Sequence, residues 1–238
     1  MTMPPRQMRL TPELVALVPP HTGETGRLAG RTDRPTDADL DDVAAKLLAD
    51  APANGEVWIF AYGSLIWNPD FDFVDERLGT VPGWHRSFCL GWVRIYRGTP
   101  ERPGIMLAMD RGGSCRGVVF RLPADAIREN LTKLLRREMP VKRAQYPARW
   151  VSVHTEGGRL RAIAFPISRQ SDAYLAGLSQ ETVVETLATA AGERGSMAEY
   201  LYATVQHLEG RGIHDRYLWR LQELVAKRLE NSPPAGWP

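Results

Sequence analysis

Glu138 is the residue whose position in the sequence points most directly to chemistry. It lies at offsets of +11, +7, +4 and +3 from four apolar residues, Ile127, Leu131, Leu134 and Leu135. A residue at these offsets lies on the apolar face of a helix. Burial on that face and the negative end of the helix would both raise the pKa of the carboxyl. The pattern therefore predicts a carboxylate that can take up and return a proton near neutral pH.

The sequence alone also allows a purely structural role for Glu138. The predicted helix runs from Asp125 to Met139, and charged residues near helix ends are usually solvated. In that interpretation Glu138 forms an ion pair at the helix edge with Arg137, Lys142 or Arg143. It would then contribute to solubility and not to catalysis.

The stretch Val57–Pro69 (VWIFAYGSLIWNP) predicts a buried strand that ends in a turn. Residues 57–61 are an apolar run of strand length. Gly63 permits a backbone turn that is closed to residues with a Cβ, and Ser64 adds a hydroxyl donor. Successive amides at such a turn can bind an anion. A turn without a ligand has the same sequence pattern, so both interpretations stay open.

Two tyrosines and one loop are further candidates. The hydroxyls of Tyr62 and Tyr200 can orient a ligand, and the alternative for each is a core ring with a polar tip. The loop Tyr96–Gly104 contains Arg97 and Arg102, which could approach a ligand carboxylate. A solvated loop has the same composition.

Covalent and metal-dependent chemistry have little support in the sequence. Cys89 and Cys115 lie in strand-like stretches, and we interpret them as reduced, buried thiols. Ser64 lacks the G-x-S-x-G context of a nucleophile elbow. The five histidines form no cluster with metal-ligand spacing. We therefore expect neither a nucleophilic side chain nor a metal site.

The composition excludes other functions. With 238 residues, 43% hydrophobic and 24% charged, the chain can build one substantial core. A net charge of +2 is too small for the concentrated basic surface that nucleic acid requires. The sequence contains neither a membrane-spanning apolar run nor a secretory signal. We expect a cytoplasmic protein without nucleic-acid or membrane partners, and its oligomeric state is not predicted.

The elements that must position these residues predict an α+β fold. Residues 1–35 are predicted to be an extended surface arm, and Thr36 is predicted to cap a helix that ends near Ala49. The predicted strands between residues 57 and 166 form a curved antiparallel or mixed sheet that can close into a barrel. They are Val57–Ala61, Gly79–Val81, Arg86–Val93, Ile105–Asp110, Cys115–Leu122, Ala148–Thr155 and Arg159–Pro166.

Glycine pairs and capping residues mark turns and helix starts. The pairs in Asp110–Gly113 and Glu156–Gly158 predict two hairpin turns. The last third of the chain is predicted to be helical, with N-caps at Ser179, Ser196 and Asp215.

Six stretches of the sequence occur in an order typical of one protein family. They are Val57–Pro69, Tyr96–Gly104, Gly117–Leu122, Arg136–Met139, Tyr146–Val151 and Glu199–Leu201. The chain resembles the ChaC-like γ-glutamylcyclotransferases over roughly residues 55–230. The resemblance implies a small mixed or antiparallel β-barrel with flanking helices. It predicts an N-terminal arm and helix over residues 1–54, a catalytic domain over 55–230 and a proline-rich tail over 231–238.

The resemblance also implies an activity and a set of site residues. The activity is the cleavage of glutathione to 5-oxoproline and cysteinylglycine without a cofactor. By position, the family's catalytic glutamate matches Glu138, and its substrate-binding residues match Tyr62, Gly63, Ser64, Leu65 and Tyr200. Residues 142–145 depart from the glycine-containing turn of many relatives, which leaves the rim of the pocket undefined.

The implied reaction explains why no nucleophile stands out. The α-amine of the substrate attacks the γ-carbonyl of the same molecule, so the nucleophile is already held close to its target. The protein must hold the substrate folded and move a proton, which one carboxylate can do. Two alternatives stay open: another γ-glutamyl amine or amino acid as substrate, and a non-catalytic module that binds a small anion. A buried carboxylate such as Glu138 disfavours the module, because it would repel the anion.

Overall fold

The structure, a computed structural model, describes residues 7–21, 34–139 and 147–231. The chain divides into two compact units. The first, here the barrel unit, comprises residues 29–90 and 107–174. The second, here the helical unit, comprises residues 1–28, 91–106 and 175–238. The domain boundaries predicted near residues 55 and 230 stay predictions.

Five strands form a closed barrel in the order β1-β3-β2-β4-β5. β1 pairs antiparallel with β3 and parallel with β5, so the predicted mixed barrel is confirmed. The strands are β1 (Trp58–Ala61), β2 (Asp75–Val93), β3 (Gly104–Arg121), β4 (Arg149–Thr155) and β5 (Gly158–Ala164).

Alternating residues of the strands build the core of the barrel. Successive side chains of a strand point to opposite faces, so every second residue can join the same cluster. One hydrophobic cluster indeed takes residues from all five strands. It contains Trp58, Phe60, Tyr62, Val81, Met109, Cys115, Val119, Val151, Val153, Ala162 and Ala164.

The two predicted hairpin turns have different outcomes. The turn at residues 156–158 is confirmed, since Thr155 pairs with Gly158 between β4 and β5. The turn at Asp110–Gly113 is wrong, because these residues lie inside the continuous strand β3. Gly112 and Gly113 have φ of +108° and +68°. The glycine pair that predicted a turn therefore forms a local irregularity inside the strand. In the same way, the two strands predicted within residues 79–93 are one strand, β2.

Asp110 anchors the segment that follows β5. Its buried carboxylate accepts hydrogen bonds from Arg169 Nε at 2.7 Å and from the Tyr174 hydroxyl at 3.0 Å. Bridges of Leu90 with Tyr174 and of Met109 with Pro166 add backbone contacts to the same segment. The charge of a buried carboxylate requires such partners, and here they join the segment to the barrel.

Two α-helices of the barrel unit lie within the described residues, α2 (Asp37–Ala49) and α3 (Ile127–Glu138). The predicted cap of α2 is confirmed as a capping box, in which Thr36 and Asp39 satisfy each other's backbone amides. α3 buries Leu131, Leu134 and Leu135.

The helical unit contains four helices within the described residues. They are α1 (Pro12–Val15), α4 (Gln180–Thr189), α5 (Met197–Glu209) and α6 (Arg216–Asn231), together with the short strands β6 (Ala191–Gly192) and β7 (Gly195–Ser196). Ser179 and Ser196 cap α4 and α5 as predicted. Asp215 Oδ1 accepts the Leu218 amide at 3.1 Å at the start of α6, which confirms the third cap.

The N-terminal segment over residues 7–21 is mostly exposed or half-buried, but two of its residues pack into the helical unit. Leu10 and Val18 are buried. The Gln222 side-chain carbonyl of α6 accepts the amides of Arg9 and Leu10, each at 2.9 Å. Leu10 and Val18 thus contribute to the core of the helical unit, whereas Leu17 is 41% exposed.

Some predictions fall on residues outside the described ranges. These are the rest of the N-terminal arm over residues 1–6 and 22–33, the unusual stretch 142–145 and the tail from residue 232. No helix within the described ranges has both the length and the apolar character that a membrane span requires.

Candidate active site

The turn after β1 forms one side of the candidate site. β1 ends at Ala61, and residues 64–66 form a 3₁₀-helix, η1. Ile66 N–H donates to Gly63 O at 2.9 Å, and Asn68 N–H donates to Ser64 O at 2.8 Å. Gly117 of β3 lets the strands approach here, because a Cβ at this position would lie 2.3 Å from the Ala61 carbonyl oxygen.

Gly63 enters the predicted turn with a negative φ. Its φ of −140° is negative, so the left-handed conformation that only glycine adopts easily is not used. The turn is made by the consecutive i→i+3 hydrogen bonds of η1. The amides of Ser64 and Leu65 precede the first of these bonds, where a helix has no carbonyl of its own to accept them.

Tyr62 is held on both its hydroxyl and its backbone. The hydroxyl donates to Phe165 O at 2.8 Å, and the ring belongs to the barrel core. The Tyr62 carbonyl accepts Arg86 Nε at 2.6 Å. Arg86 is buried and also donates to the Arg116 carbonyl. These bonds fix the residue that precedes Gly63, and a role for Tyr62 in binding substrate stays a prediction.

Glu138 lies where the helical spacing placed it. It is the last residue of α3, on the face that buries Leu131, Leu134 and Leu135. Its side chain is 20% exposed. Burial raises the pKa of Glu138, and the positive charge of Arg137 lowers it, with burial the larger effect. The carboxyl therefore ionises above its ordinary range, as a group that exchanges protons near neutrality must.

Arg137 connects Glu138 with the turn. Its Nε lies 3.2 Å from Glu138 Oε1, and its Nη2 donates to Ser64 Oγ at 3.2 Å. Its Nη1 donates to the carbonyl oxygen of Asn68. The structure thus brings the Ser64 hydroxyl of the turn and the Glu138 carboxylate to one guanidinium group. It also shows that ion pairing with Arg137 and burial of Glu138 occur together, although the sequence presented them as alternatives.

Tyr200 belongs to the helical unit. It lies in α5, is 3% exposed and has the guanidinium carbon of Arg97 at 5.4 Å from its ring centre. Arg97 Nη1 donates to Ser196 O at 2.8 Å and lies 3.1 Å from Glu199 Oε2. The predicted roles of Tyr200 and Arg97 toward a ligand stay predictions.

The thiols have the burial predicted for them. Cys89 and Cys115 are free and are 4% and 1% exposed. Burial raises the pKa of Cys89 to about 11, so its reactive thiolate is scarce at neutral pH. Within the described ranges, no three His, Cys, Asp or Glu side chains are grouped so that they could hold a metal ion.

Two arginines of the site were not selected from the sequence as functional residues. Arg86 has a usable signal, because it shares one strand face with buried Phe88 two residues later and is therefore a charged residue at an inward position. Arg137 has a weaker signal. It appeared only as one of three possible ion-pair partners, and nothing in the spacing indicates its contacts with Ser64 and Asn68.

Comparison with known proteins identifies related sequences. The family model of ChaC-like proteins matches residues 57–228. A glutathione-specific gamma-glutamylcyclotransferase of Escherichia coli is 38% identical over 193 residues, which cover 81% of this chain and 82% of that protein. The mouse glutathione-specific gamma-glutamylcyclotransferase 1 is 31% identical over 180 residues, covering 73% and 79%.

A solved structure supports the fold. The crystal structure of the selenomethionine-labelled yeast gamma-glutamyl cyclotransferase specific to glutathione aligns with a TM-score of 0.65. The alignment covers 72% of this chain and 96% of the yeast chain at 22% identity. At that identity the likeness concerns the fold alone.

Proposed function

We infer that this chain, which belongs to the ChaC-like protein family, is a γ-glutamylcyclotransferase that cleaves glutathione to 5-oxoproline and cysteinylglycine. The observation that carries the chemistry is the partly buried carboxylate of Glu138, held by Arg137 beside the turn after β1. Cyclisation of a γ-glutamyl group requires one proton-transferring group and a means of holding the substrate. Both requirements match groups of this site.

The turn is the proposed binding site for the α-carboxylate of the γ-glutamyl group. The amides of Ser64 and Leu65 at the start of η1 supply donors that the helix does not use itself. Hydrogen bonds from such donors to a carboxylate are charge-assisted and short. Binding this end of the substrate would leave its α-amine and γ-carbonyl free to approach each other.

Glu138 is the proposed general base and general acid. It first takes a proton from the substrate's α-ammonium group. The freed amine attacks the γ-carbonyl carbon, so that a carbon–nitrogen bond forms and closes the five-membered ring. The carbon–nitrogen bond to cysteinylglycine then breaks as Glu138 returns the proton to the departing nitrogen. The ring nitrogen gives up its second proton to the departing amine by the same route, so that the lactam keeps one N–H and cysteinylglycine leaves as an ammonium. All atoms of glutathione appear in the two products, and the step consumes no water, oxidant or reductant.

Burial gives Glu138 the basicity that this role requires. A carboxylate in water is a weak base toward an ammonium group, and removal from water raises its proton affinity. The side chain retains 20% of its exposure, which leaves a path to substrate. Arg137 partly opposes the rise in pKa and so favours the ionised carboxylate, which is the form that accepts a proton.

The direct test is incubation of the purified protein with glutathione and detection of 5-oxoproline and cysteinylglycine by mass spectrometry. Other γ-glutamyl amines and γ-glutamyl amino acids are run in parallel at equal concentration. We expect the two products from glutathione and little turnover of the others. Preferential turnover of another γ-glutamyl compound would assign the alternative substrate. Binding of glutathione without either product would indicate a non-catalytic module.

A further inference from the structure

We propose that Arg137 is a positioning residue for Glu138, because one guanidinium group holds the carboxylate and the turn after β1 in a fixed relation. The proposal rests on the proposed function, in which Glu138 moves the proton and the turn holds the substrate. It assigns to Arg137 a role that acts through Glu138, without contact to the reacting atoms.

The contacts of Arg137 use all three nitrogen atoms of its side chain. Nε faces Glu138, Nη1 faces the Asn68 carbonyl and Nη2 faces the Ser64 hydroxyl. Ser64 is the first residue of η1, Asn68 follows η1, and the third partner is the carboxylate. Since the Arg137 side chain is only 22% exposed, water competes weakly for these bonds.

The planar geometry of arginine makes this arrangement specific. A guanidinium group presents its donors in a rigid fork, whereas a lysine ammonium is a single point charge on a flexible chain. Lysine at position 137 would retain the positive charge but could not hold three partners at these separations. Charge and positioning can therefore be separated by substitution.

The same contact sets the pH range in which Glu138 is ionised. Among the described residues, Arg137 is the charged group that acts on Glu138. The other charged residues nearby on α3 are paired elsewhere: Arg136 lies 2.8 Å from Asp37 of α2, and Lys133 lies 3.8 Å from Asp70. Loss of the Arg137 charge should therefore move the ionisation of Glu138 to higher pH.

The experiment measures kcat/KM for glutathione against pH in Arg137→Gln, Arg137→Lys and Arg136→Gln. For Arg137→Gln we expect the acidic limb of the profile to move up by about one pH unit, because an opposite charge at this distance lowers a carboxyl pKa by roughly one to three units. For Arg137→Lys we expect the limb to stay near its wild-type position while kcat/KM falls by about tenfold. Arg136→Gln is the matched control, since its exposed pair with Asp37 does not involve Glu138.

A purely structural role of Arg137 would lower the amount of active protein without moving the acidic limb. An unmoved limb in folded Arg137→Gln would therefore overturn the proposal. If Arg137→Gln does not fold, Arg137→Lys decides: wild-type kcat/KM in that variant would overturn the proposal, and a tenfold loss with an unmoved limb would support it.

Failure of the proposed function can be distinguished from failure of the inference about Arg137. If wild-type protein forms no 5-oxoproline, the proposed function is wrong whatever the variants do. A ¹³C NMR titration of the Glu138 carboxyl then measures how Arg137 affects its pKa without requiring turnover. The Glu138 signal is assigned by its absence from the spectrum of Glu138→Gln. A Glu138 pKa equal in wild type and Arg137→Gln would overturn the inference in that case.

Discussion

Replacement of Glu138 by glutamine tests two effects of the buried carboxylate, its contribution to activity and its cost to the stability of the fold. Glutamine has nearly the same shape, and the hydrogen bonds of Arg137 to Ser64 and Asn68 do not involve position 138, so the turn and α3 should keep their relation. The amide cannot accept a proton at neutral pH. We expect Glu138→Gln to lose activity and to gain stability.

The loss of activity follows from the two proton transfers assigned to one group. General acid–base catalysis contributes about 10²–10⁴-fold to rates, which corresponds to roughly 3–5.5 kcal/mol of barrier. Because Glu138 serves both transfers, we expect kcat to fall at least about 100-fold. KM should change little, since the turn proposed to bind the α-carboxylate is untouched.

The gain in stability follows from the sign of the pKa shift. Burial raises the pKa of Glu138 in the folded protein, and Arg137 offsets this only in part. Between the ordinary and the raised pKa, the folded state holds more protons than the unfolded state, so stability falls as pH rises through that window. Above this pH window, the free-energy cost of burying the ionised carboxylate is fully present. Glu138→Gln removes it, so its free energy of unfolding should exceed that of wild type at neutral pH, and this advantage should shrink as the pH falls toward about 4.

The assay combines steady-state turnover of glutathione with urea unfolding at several pH values. Glu129→Gln is the matched control, because Glu129 is an exposed residue in the first turn of the same helix. Turnover by Glu138→Gln within about tenfold of wild type would refute the proton-transfer role. A lower stability than wild type at neutral pH would show that the ion pair with Arg137 outweighs desolvation of the carboxylate.

Three further predictions concern the thiols, the barrel and the substrate. Turnover should survive EDTA and thiol alkylation, because Cys89 and Cys115 are buried; a loss that added metal restores would contradict this. Asp110→Ala should lower the free energy of unfolding in urea by about 1–3 kcal/mol at neutral pH. Burial acts to raise the pKa of Asp110, but hydrogen bonds from Arg169, a backbone amide and Tyr174 outweigh it, so the wild-type advantage should fade below about pH 4. From the family resemblance, kcat/KM should be much higher for reduced glutathione than for its oxidised dimer, and comparable values would contradict the prediction.

The fold could be predicted wherever local patterns and tertiary structure agree. Thr36, Ser179 and Ser196 cap the helices they were expected to cap, because a capping side chain acts within three residues of its own position. The Asp110–Gly113 turn failed because the local signal for a hairpin is the same as that for a glycine-containing irregularity inside a long strand. Which of the two forms depends on the pairing of β3 with its neighbours, and this is not a local property.

The candidate site was predicted only in part for a related reason. Helical spacing located Glu138, since three buried leucines fix the face on which it lies. The turn at Gly63 was located by the end of an apolar run, but its conformation was not, because glycine is compatible with several. The contacts of Arg86 with Tyr62 and Arg116 join residues 24 and 30 positions apart and become visible only once the barrel is closed.

The pair Arg137–Glu138 shows why adjacency in sequence did not reveal the site. Neighbouring residues on a helix point about 100° apart and normally do not face each other. Here the arginine also donates to Ser64 and Asn68, so its side chain is directed toward the turn while its Nε lies 3.2 Å from the carboxylate. The turn thus determines where the arginine lies, and the arginine determines how far burial can raise the pKa of Glu138. A change in the turn should therefore affect Glu138, the proposed proton-transferring group, through Arg137, and Ser64 is the side chain of the turn that contacts this arginine.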